Sequence, residues 1–377
     1  MRSQRWPGLS GPARSTPQRG QGVGRWVVKG VLVTASIRVG VMSAPYGVEI
    51  RKVGKPEPRP GEVLVKIHAC AICTTEQRIY AGVQSWDRFP YVGGHEAAGV
   101  VEAVGPGTET DLKIGDHVAI VSATCGHCIN CRRGRTNKCL HREGFWQHEG
   151  LWGTWGFAEY KAVKPRGLQT IAPEIPFEHA ALVEPLSCVV HGVRKLGVGL
   201  AGEVVVIGAG PMGFLNAQVL KAMGAVVTVL DLQEARCQKA LAAGVDRACV
   251  PDDATLDKIQ AWTEGRGPDA VVVASSAPRA YEQGRAMLGP FGRLLAFSSV
   301  HPDEETTISP TALHRDEVHL LGAVSSDIGD VLIASKVISK RLIDVSQVIQ
   351  CVMPFERLRE ALERSLQPDV YRVVVRM

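Results

Sequence analysis

Four cysteines fall within fifteen residues, Cys125, Cys128, Cys131 and Cys139, spaced C-x2-C-x2-C-x7-C. Thiolates this close along the chain can converge on one tetrahedral zinc, each sulfur about 2.3 Å from the metal. Gly126 and Gly134 permit the turns such a loop needs. Ten cysteines in a long chain without a secretory signal favour metal over disulfides. With all four positions filled by protein, this zinc would be structural. A second group of metal-ligand types stands apart: Cys73, the pair His95-Glu96 after Gly93-Gly94, and Glu184 just before Pro185. A soft thiolate, an imidazole and a carboxylate suit a catalytic zinc that keeps one position open for water or alcohol. Taken singly, Cys73 reads as a small buried hydrophobe and His95 as a hydrogen-bonded core residue. Beside a cysteine lobe and the nucleotide motif described next, they gain weight together.

The third chemical signal is a glycine loop. Val204–Ile207 runs straight into Gly208-Ala209-Gly210-Pro211-Met212-Gly213 and then a helical stretch. In a G-x-G-x-x-G turn the first glycine allows the bend and the second lets backbone approach a pyrophosphate. The third lets helix and strand pack closely, while the helix N-terminus supplies N–H groups and positive dipole. The motif alone is weak evidence. Here it sits between strand and helix, and Asp231 ends the next strand, 23 residues after Gly208. A carboxylate there hydrogen-bonds an adenosine ribose diol and repels a 2′-phosphate, which favours NAD over NADP. Arg236, one helical turn on, leaves some NADP tolerance open.

The elements that must position these residues follow from pattern. A chain of 377 residues predicts about two domains. Residues 36–120 read as short strands split by turns: Ile37–Val41, Val48–Lys52, Val63–Ala69, Ala98–Val104 and His117–Ile120. Glu178 to Leu196 reads as helix despite Pro185. From Val204 onward, buried-type strands (Val204–Ile207, Val226–Leu230, Ala270–Ala274, Arg293–Phe297, His319–Val324) alternate with helices near Gly213–Met223, Gln233–Ala243 and Arg279–Leu288. Such alternation makes a doubly wound parallel sheet, so the fold class is α/β. A final amphipathic helix (Phe355–Ser365) and strand (Tyr371–Arg376) can rejoin the first domain. The expected division is 36–190 completed by 340–377, with 191–339 as the nucleotide-binding domain.

Composition excludes some classes. No apolar run reaches the roughly 20 residues that cross a bilayer, so no membrane role is expected. The net charge of +5 is carried by a leader: residues 1–35 hold six Lys and Arg and no acid, and the rest is close to neutral. The leader reads as a disordered basic extension rather than a transit peptide, because its prolines and glycines interrupt any amphipathic helix. A nucleic-acid-binding zinc protein is disfavoured, since the basic residues form a leader rather than a patch on a fold. A cytoplasmic location is expected.

Together these residues resemble the zinc-containing medium-chain dehydrogenase/reductases, over about residues 36–377. The marks are Ala71-Ile72-Cys73-Thr74-Thr75-Glu76, Gly94-His95-Glu96, the four-cysteine lobe, Gly156-Phe157-Ala158-Glu159-Tyr160, Leu182-Val183-Glu184-Pro185-Leu186-Ser187 and the glycine loop. The Glu-Pro-Leu-Ser segment is similar to the polyol and threonine dehydrogenase branch. The resemblance implies a GroES-like β-rich catalytic domain plus a Rossmann domain, with the active site between them. It implies Cys73 and His95 as ligands of a catalytic zinc, with Glu96 favoured as the third and Glu184 then contacting water and substrate; Glu184 is the alternative third ligand. It also implies Thr75 as the hydroxyl that takes the alcohol's proton, hydride transfer from a secondary alcohol to NAD, and a homodimer or homotetramer. A zinc-poor, NADP-dependent reductase of the same fold is the alternative, and the full ligand set argues against it.

Two departures from that family pattern bear on mechanism. Glu76 stands where an aspartate is usual, one methylene longer, which alters the reach of the bond that orients a ligand. Arg78 replaces a histidine used for proton relay, and arginine does not release its proton in proteins. The stretch Phe145-Trp146-Gln147-His148 to Leu151-Trp152-Gly153-Thr154-Trp155 is unusually aromatic. It reads equally as a wall beside a bulky substrate or as plain packing.

Overall fold

The computed structural model describes residues 35–83, 89–300 and 303–377, together with the short antiparallel pair Val27–Val28 and Val31–Leu32. The expectation for residues 1–35 otherwise lies outside the described residues. Ser36–Met377 forms one compact unit.

Its first half is built on two sheets. The strand Ser36–Ala44 pairs antiparallel with Gly47–Gly54 and, with Tyr91–Val92, Leu151–Gly153 and Trp146–His148, makes a five-stranded sheet. A seven-stranded sheet is centred on Val63–Ala71, whose Val63, Val65 and Ile67 enter one core and whose Ala69 and Ala71 enter another, past a register shift between Ile67 and Ala69. One edge of Val63–Ala71 pairs with Glu96–Val104. The other edge is shared in succession by Tyr160–Val163 and Arg372–Arg376. The last strand of the chain therefore lies directly beside the strand that leads into Cys73. Ile349–Pro354, which the sequence reading missed, pairs parallel with Arg372–Arg376 and completes the return.

The second half is a six-stranded, wholly parallel sheet in the spatial order Arg247–Cys249, Val226–Leu230, Glu203–Ile207, Ala270–Val273, Arg293–Ala296, His319–Gly322. The central strands are made mostly of Val, Ile and Leu because helices cover both faces. This order reverses between Glu203–Ile207 and Ala270–Val273, the switch point at which open α/β sheets bind ligands. Two further elements, the helices Thr255–Trp262 and Pro310–Asp316, escaped the sequence reading for want of clear periodicity.

The expected helix over 178–196 is two pieces, Phe177–Ala180 and Val183–Leu196. Pro185 sits in the first turn of the second, where its missing N–H costs nothing. That helix spans the expected junction at 190/191. It packs against the helices Pro211–Ala222 and Ile328–Ser339 as well as the strand Glu96–Val104. It thus touches elements of both halves and carries Glu184 at its N-terminal end.

Candidate active site

Cys73 follows the strand Val63–Ala71 and stands at the N-cap of the helix Thr74–Tyr80, in extended conformation. That short helix turns Glu76 back inward, where it is fully buried. His95 and Glu96 open the neighbouring strand after Gly94, whose φ of +86° only glycine adopts easily. A Cβ on Gly94 would lie 2.8 Å from Cys70 Sγ and from the Phe157 nitrogen. Register between the two strands pairs Ala71 with Glu96, so Cys73 and His95-Glu96 emerge at the same end of the sheet. One donor atom from each of Cys73, His95 and Glu96 lies within 4.8 Å of the others.

Glu76 Oε1 meets His95 Nδ1 at 2.8 Å and accepts the Gly94 N–H at 3.1 Å. The longer acid therefore still reaches the imidazole, and it leaves Nε2 as the ring nitrogen free to ligate. Arg372, at the start of the final strand, donates to Glu96 Oε1 at 2.8 Å and to the Ile72 carbonyl at 3.2 Å. Glu96 Oε2 is buried without any hydrogen-bond partner. Burial pushes the Cys73 thiol up, but the Arg372 guanidinium and His95 outweigh it and bring it down to about 6. Burial works against an imidazolium at His95, yet Glu76 and Cys73 raise its pKa well above the usual value. A ready thiolate, an imidazole oriented through its far nitrogen and an orphaned carboxylate oxygen form a donor set that fits a zinc ion.

Glu184 lies close by without joining that set. Burial and the neighbouring Glu96 push its carboxyl up, against the pull of His95, Arg142 and Arg372. Thr75 Oγ1 is 4.0 Å from Cys73 Sγ. Arg78 is half-buried on the same short helix. Its guanidinium has no acceptor among the described residues.

The four lobe cysteines gather their sulfurs within 4.8 Å of one another. Sulfur separations of 3.5 to 4.0 Å bracket the edge of about 3.8 Å expected for a tetrahedron with 2.3 Å zinc–sulfur bonds. Backbone N–H groups of Cys128, Cys125 and His141 donate to these sulfurs at 3.3 to 3.4 Å. No disulfide forms among the described residues, and all ten cysteines are free.

At the glycine loop Gly208 takes φ +95°, and a Cβ on Gly213 would fall 1.7 Å from the Gly208 carbonyl oxygen. A Cβ on Gly210 would meet nothing closer than Arg236 Nη1 at 3.9 Å, which leaves that edge open for a phosphate to approach. Pro211 and Met212 begin the helix Pro211–Ala222. Asp231 accepts the Ala209 N–H at 2.6 Å and the Gln233 N–H at 2.9 Å, and lies 3.6 Å from Arg236. A cleft of about 1370 Å³ runs past Gly208, Gly210, Asp231, Arg236, Ser275 and Arg279. These residues fit a dinucleotide.

Tyr371 and Arg372 connect the two centres, and the sequence held no local signal for either. Tyr371 donates to the Ala209 carbonyl in the glycine loop at 2.8 Å. Arg372 reaches Glu96 and also lies 3.4 Å from Met212 Sδ.

His191, Asp327 and Asp330 form a third group with metal-ligand types. Its acceptors are already committed. Asp330 takes His191 Nδ1 at 2.7 Å and an Arg194 N–H, while Asp327 takes the Asn137 N–H at 2.9 Å and the Thr136 hydroxyl at 3.2 Å. This cluster clasps the cysteine lobe to the start of the helix Ile328–Ser339. The aromatic stretch mostly packs on itself: Trp155 is fully buried, donates to the Trp146 carbonyl and sits edge-on to that ring. Phe145 stacks on Trp152 but stays exposed.

Residues 59–173 match the alcohol dehydrogenase GroES-like domain, and residues 211–340 match the zinc-binding dehydrogenase family. The chain is 38% identical over 256 residues to L-threonine 3-dehydrogenase of Pyrococcus furiosus, covering 66% of this chain and 72% of that protein. It is 33% identical over 272 residues to D-altritol 5-dehydrogenase of Agrobacterium fabrum, covering 71% and 77%. An alcohol dehydrogenase from Escherichia coli, solved in complex with NADH, superposes with a TM-score of 0.80 at 26% identity, covering 91% of this chain and 99% of that one.

Proposed function

The chain belongs to the zinc-binding alcohol dehydrogenase family, in its polyol and threonine dehydrogenase branch, and from that premise we propose that it oxidises a secondary alcohol of polyol or amino-alcohol type with NAD as hydride acceptor. The observation that carries this reading is the junction made by Tyr371 and Arg372. Adjacent residues at the entry to one strand hold the glycine loop on one side and the Cys73–His95–Glu96 group on the other.

Cys73, His95 and Glu96 would hold the catalytic zinc, and Cys125, Cys128, Cys131 and Cys139 a structural one. A zinc ion with an open position lowers the pKa of a bound hydroxyl, and a nicotinamide accepts the hydride. The chain's own residues do the rest. Glu76 fixes the His95 ring, and Arg372 fixes Glu96 by one oxygen while the other stays without a partner and would serve the metal. Thr75 takes the alcohol's proton, and Glu184, buried at its helix N-terminus, holds the substrate's polar face. Gly208, Gly210 and the start of the helix with Pro211, Met212 and Gly213 receive the pyrophosphate. Asp231 receives the adenosine ribose, while Arg236 beside it retains some tolerance for NADP.

Residues 36–190 with 340–377 act as the catalytic domain and 191–339 as the nucleotide-binding domain. Among the described residues no helix is long and apolar enough to cross a membrane. We place the enzyme in the cytoplasm, in keeping with its free cysteines. Its sheet ends at the strand His319–Gly322, beside exposed Leu320, Val324, Ile328 and Leu332. An apolar sheet edge of this kind suits pairing with a second copy, so we assign a homodimer as the minimal assembly.

The test is initial-rate absorbance of reduced nicotinamide with a panel of polyols, sugars and hydroxy amino acids. Activity that depends on NAD and is abolished by a strong chelator supports the reading. Full activity in metal-free protein overturns it.

A further inference from the structure

Lys161 is a buried cation for which the mechanism above has no use. The strand Tyr160–Val163 pairs with Val63–Lys66, and the alternation turns Lys161 inward while Tyr160 stays half-buried. The side chain is 9% exposed, and Nζ has one acceptor, the Thr154 carbonyl at 2.7 Å. An ammonium has three donors, so two lack partners among the described residues, and no carboxylate pairs with it. The Thr154 hydroxyl is itself engaged with the Tyr91 hydroxyl at 3.2 Å. Cys70, the titratable neighbour, is kept in the neutral thiol form by burial. Burying a charge without a counter-charge is strongly unfavourable, and such a group in a native fold calls for a ligand or a role.

The surroundings supply a place for one. Lys161 borders a cavity of about 280 Å³ whose other walls include His95, Ser122, Gly144 and Thr154. Space within it admits about one water-sized group. Gly144 keeps that space clear, because a Cβ there would lie 3.3 Å from Ser122 Oγ. Val121 and Ser122 also line the adjoining cavity that is bordered by Glu184, while His95 borders the first.

We propose that Lys161 and Ser122 form a substrate subsite that takes one carboxylate oxygen of a short hydroxy acid, a class that includes 3-hydroxy amino acids. This rests on the dehydrogenase reading. A water molecule would satisfy donors but leave the charge unbalanced, and a phosphate is too large for the space. A carboxylate oxygen does both, and His95 belongs to both the metal-ligand group and this cavity wall. On this reading the carbinol lies at the metal-ligand group and the acid group at Lys161, with His95 the wall common to both. Neutral polyols leave the ammonium unpaired, so the pocket selects for the acid.

The test compares wild type with Lys161→Met and Ser122→Val, using L-threonine and 3-hydroxybutyrate against butane-2,3-diol. The ratio of kcat/KM for hydroxy acid to kcat/KM for diol should fall at least tenfold in Lys161→Met and several-fold in Ser122→Val. An unchanged ratio in both variants overturns the subsite while the dehydrogenase reading stands. Binding of butyrate, read as a rise in Tm of the zinc-loaded protein, separates the two ideas if no alcohol is oxidised at all. A rise in wild type that Lys161→Met abolishes supports the subsite even then, and equal shifts in both proteins overturn it.

Discussion

Arg372 holds Glu96 by one carboxylate oxygen at 2.8 Å and leaves the other buried with no partner. The two residues are 276 positions apart and meet because the last strand returns to the sheet beside Cys73. Glu96→Gln replaces half of that carboxylate with a donor. The variant should retain about one zinc per chain, in the cysteine lobe, where wild type retains about two. Arg372→Met, which frees rather than removes the carboxylate, should weaken retention of the catalytic zinc by about 10- to 100-fold. Elemental analysis after dialysis against a graded chelator reads both, and two zincs in Glu96→Gln would remove Glu96 from the ligand set.

The cysteine lobe and the clasp at Asp327 make a separate claim. Cys131→Ser should lose the lobe zinc and lower Tm by several degrees while the catalytic zinc remains. The loosened lobe should be cut by protease within residues 125–142, a window that wild type protects. Equal protection in both proteins would mean that the lobe folds without metal.

The proposed preference for NAD rests on Asp231. Its carboxylate already receives the Ala209 and Gln233 N–H groups, with Arg236 3.6 Å away. Asp231→Ala removes the acid and frees the guanidinium, so the NADP to NAD ratio of kcat/KM should rise at least tenfold. A ratio that stays put would place the ribose elsewhere in the cleft.

Lys161 carries a stability prediction with a definite sign. Burial brings its pKa from 10.5 down to about 8. The charged form is thus disfavoured in the folded state. The penalty is absent above pH 10.5, grows as pH falls from there to about 8, and is complete below. At 1.36 kcal/mol per unit the gap is worth about 3 kcal/mol. Without substrate, Lys161→Met should therefore melt higher than wild type at pH 7, and the advantage should shrink as pH rises from 8 to 10.5. A difference that does not vary with pH would contradict a buried, unpaired ammonium.

What could be read from the sequence was what is local. The cysteine spacing, the glycine loop and Asp231 each occupy a short stretch whose function follows from residue type and turn geometry. That Glu76 orients a ligand was legible only through the family resemblance, and its partner, His95, is set by the meeting of a short helix with the neighbouring strand. The single helix expected over 178–196 missed the break at 181–182, which places Pro185 in a first turn where proline is tolerated. Arg372, Tyr371 and Lys161 were opaque for a different reason. Their partners lie across sheet pairings whose register no stretch of sequence specifies. Lys161 in particular lies in a strand, Tyr160–Val163, whose place is fixed only by its pairing with Val63–Lys66.

The return of the final strand also bears on how the protein is made. Everything from Cys73 to Asp231 leaves the ribosome before the residues that tie those centres together. Nascent chains therefore carry both binding loops unanchored until Tyr371 and Arg372 emerge, and assembly waits for that segment. Translation that stops before Tyr371 would yield a polypeptide with every ligand and every loop glycine intact, yet without the girder that sets one against the other.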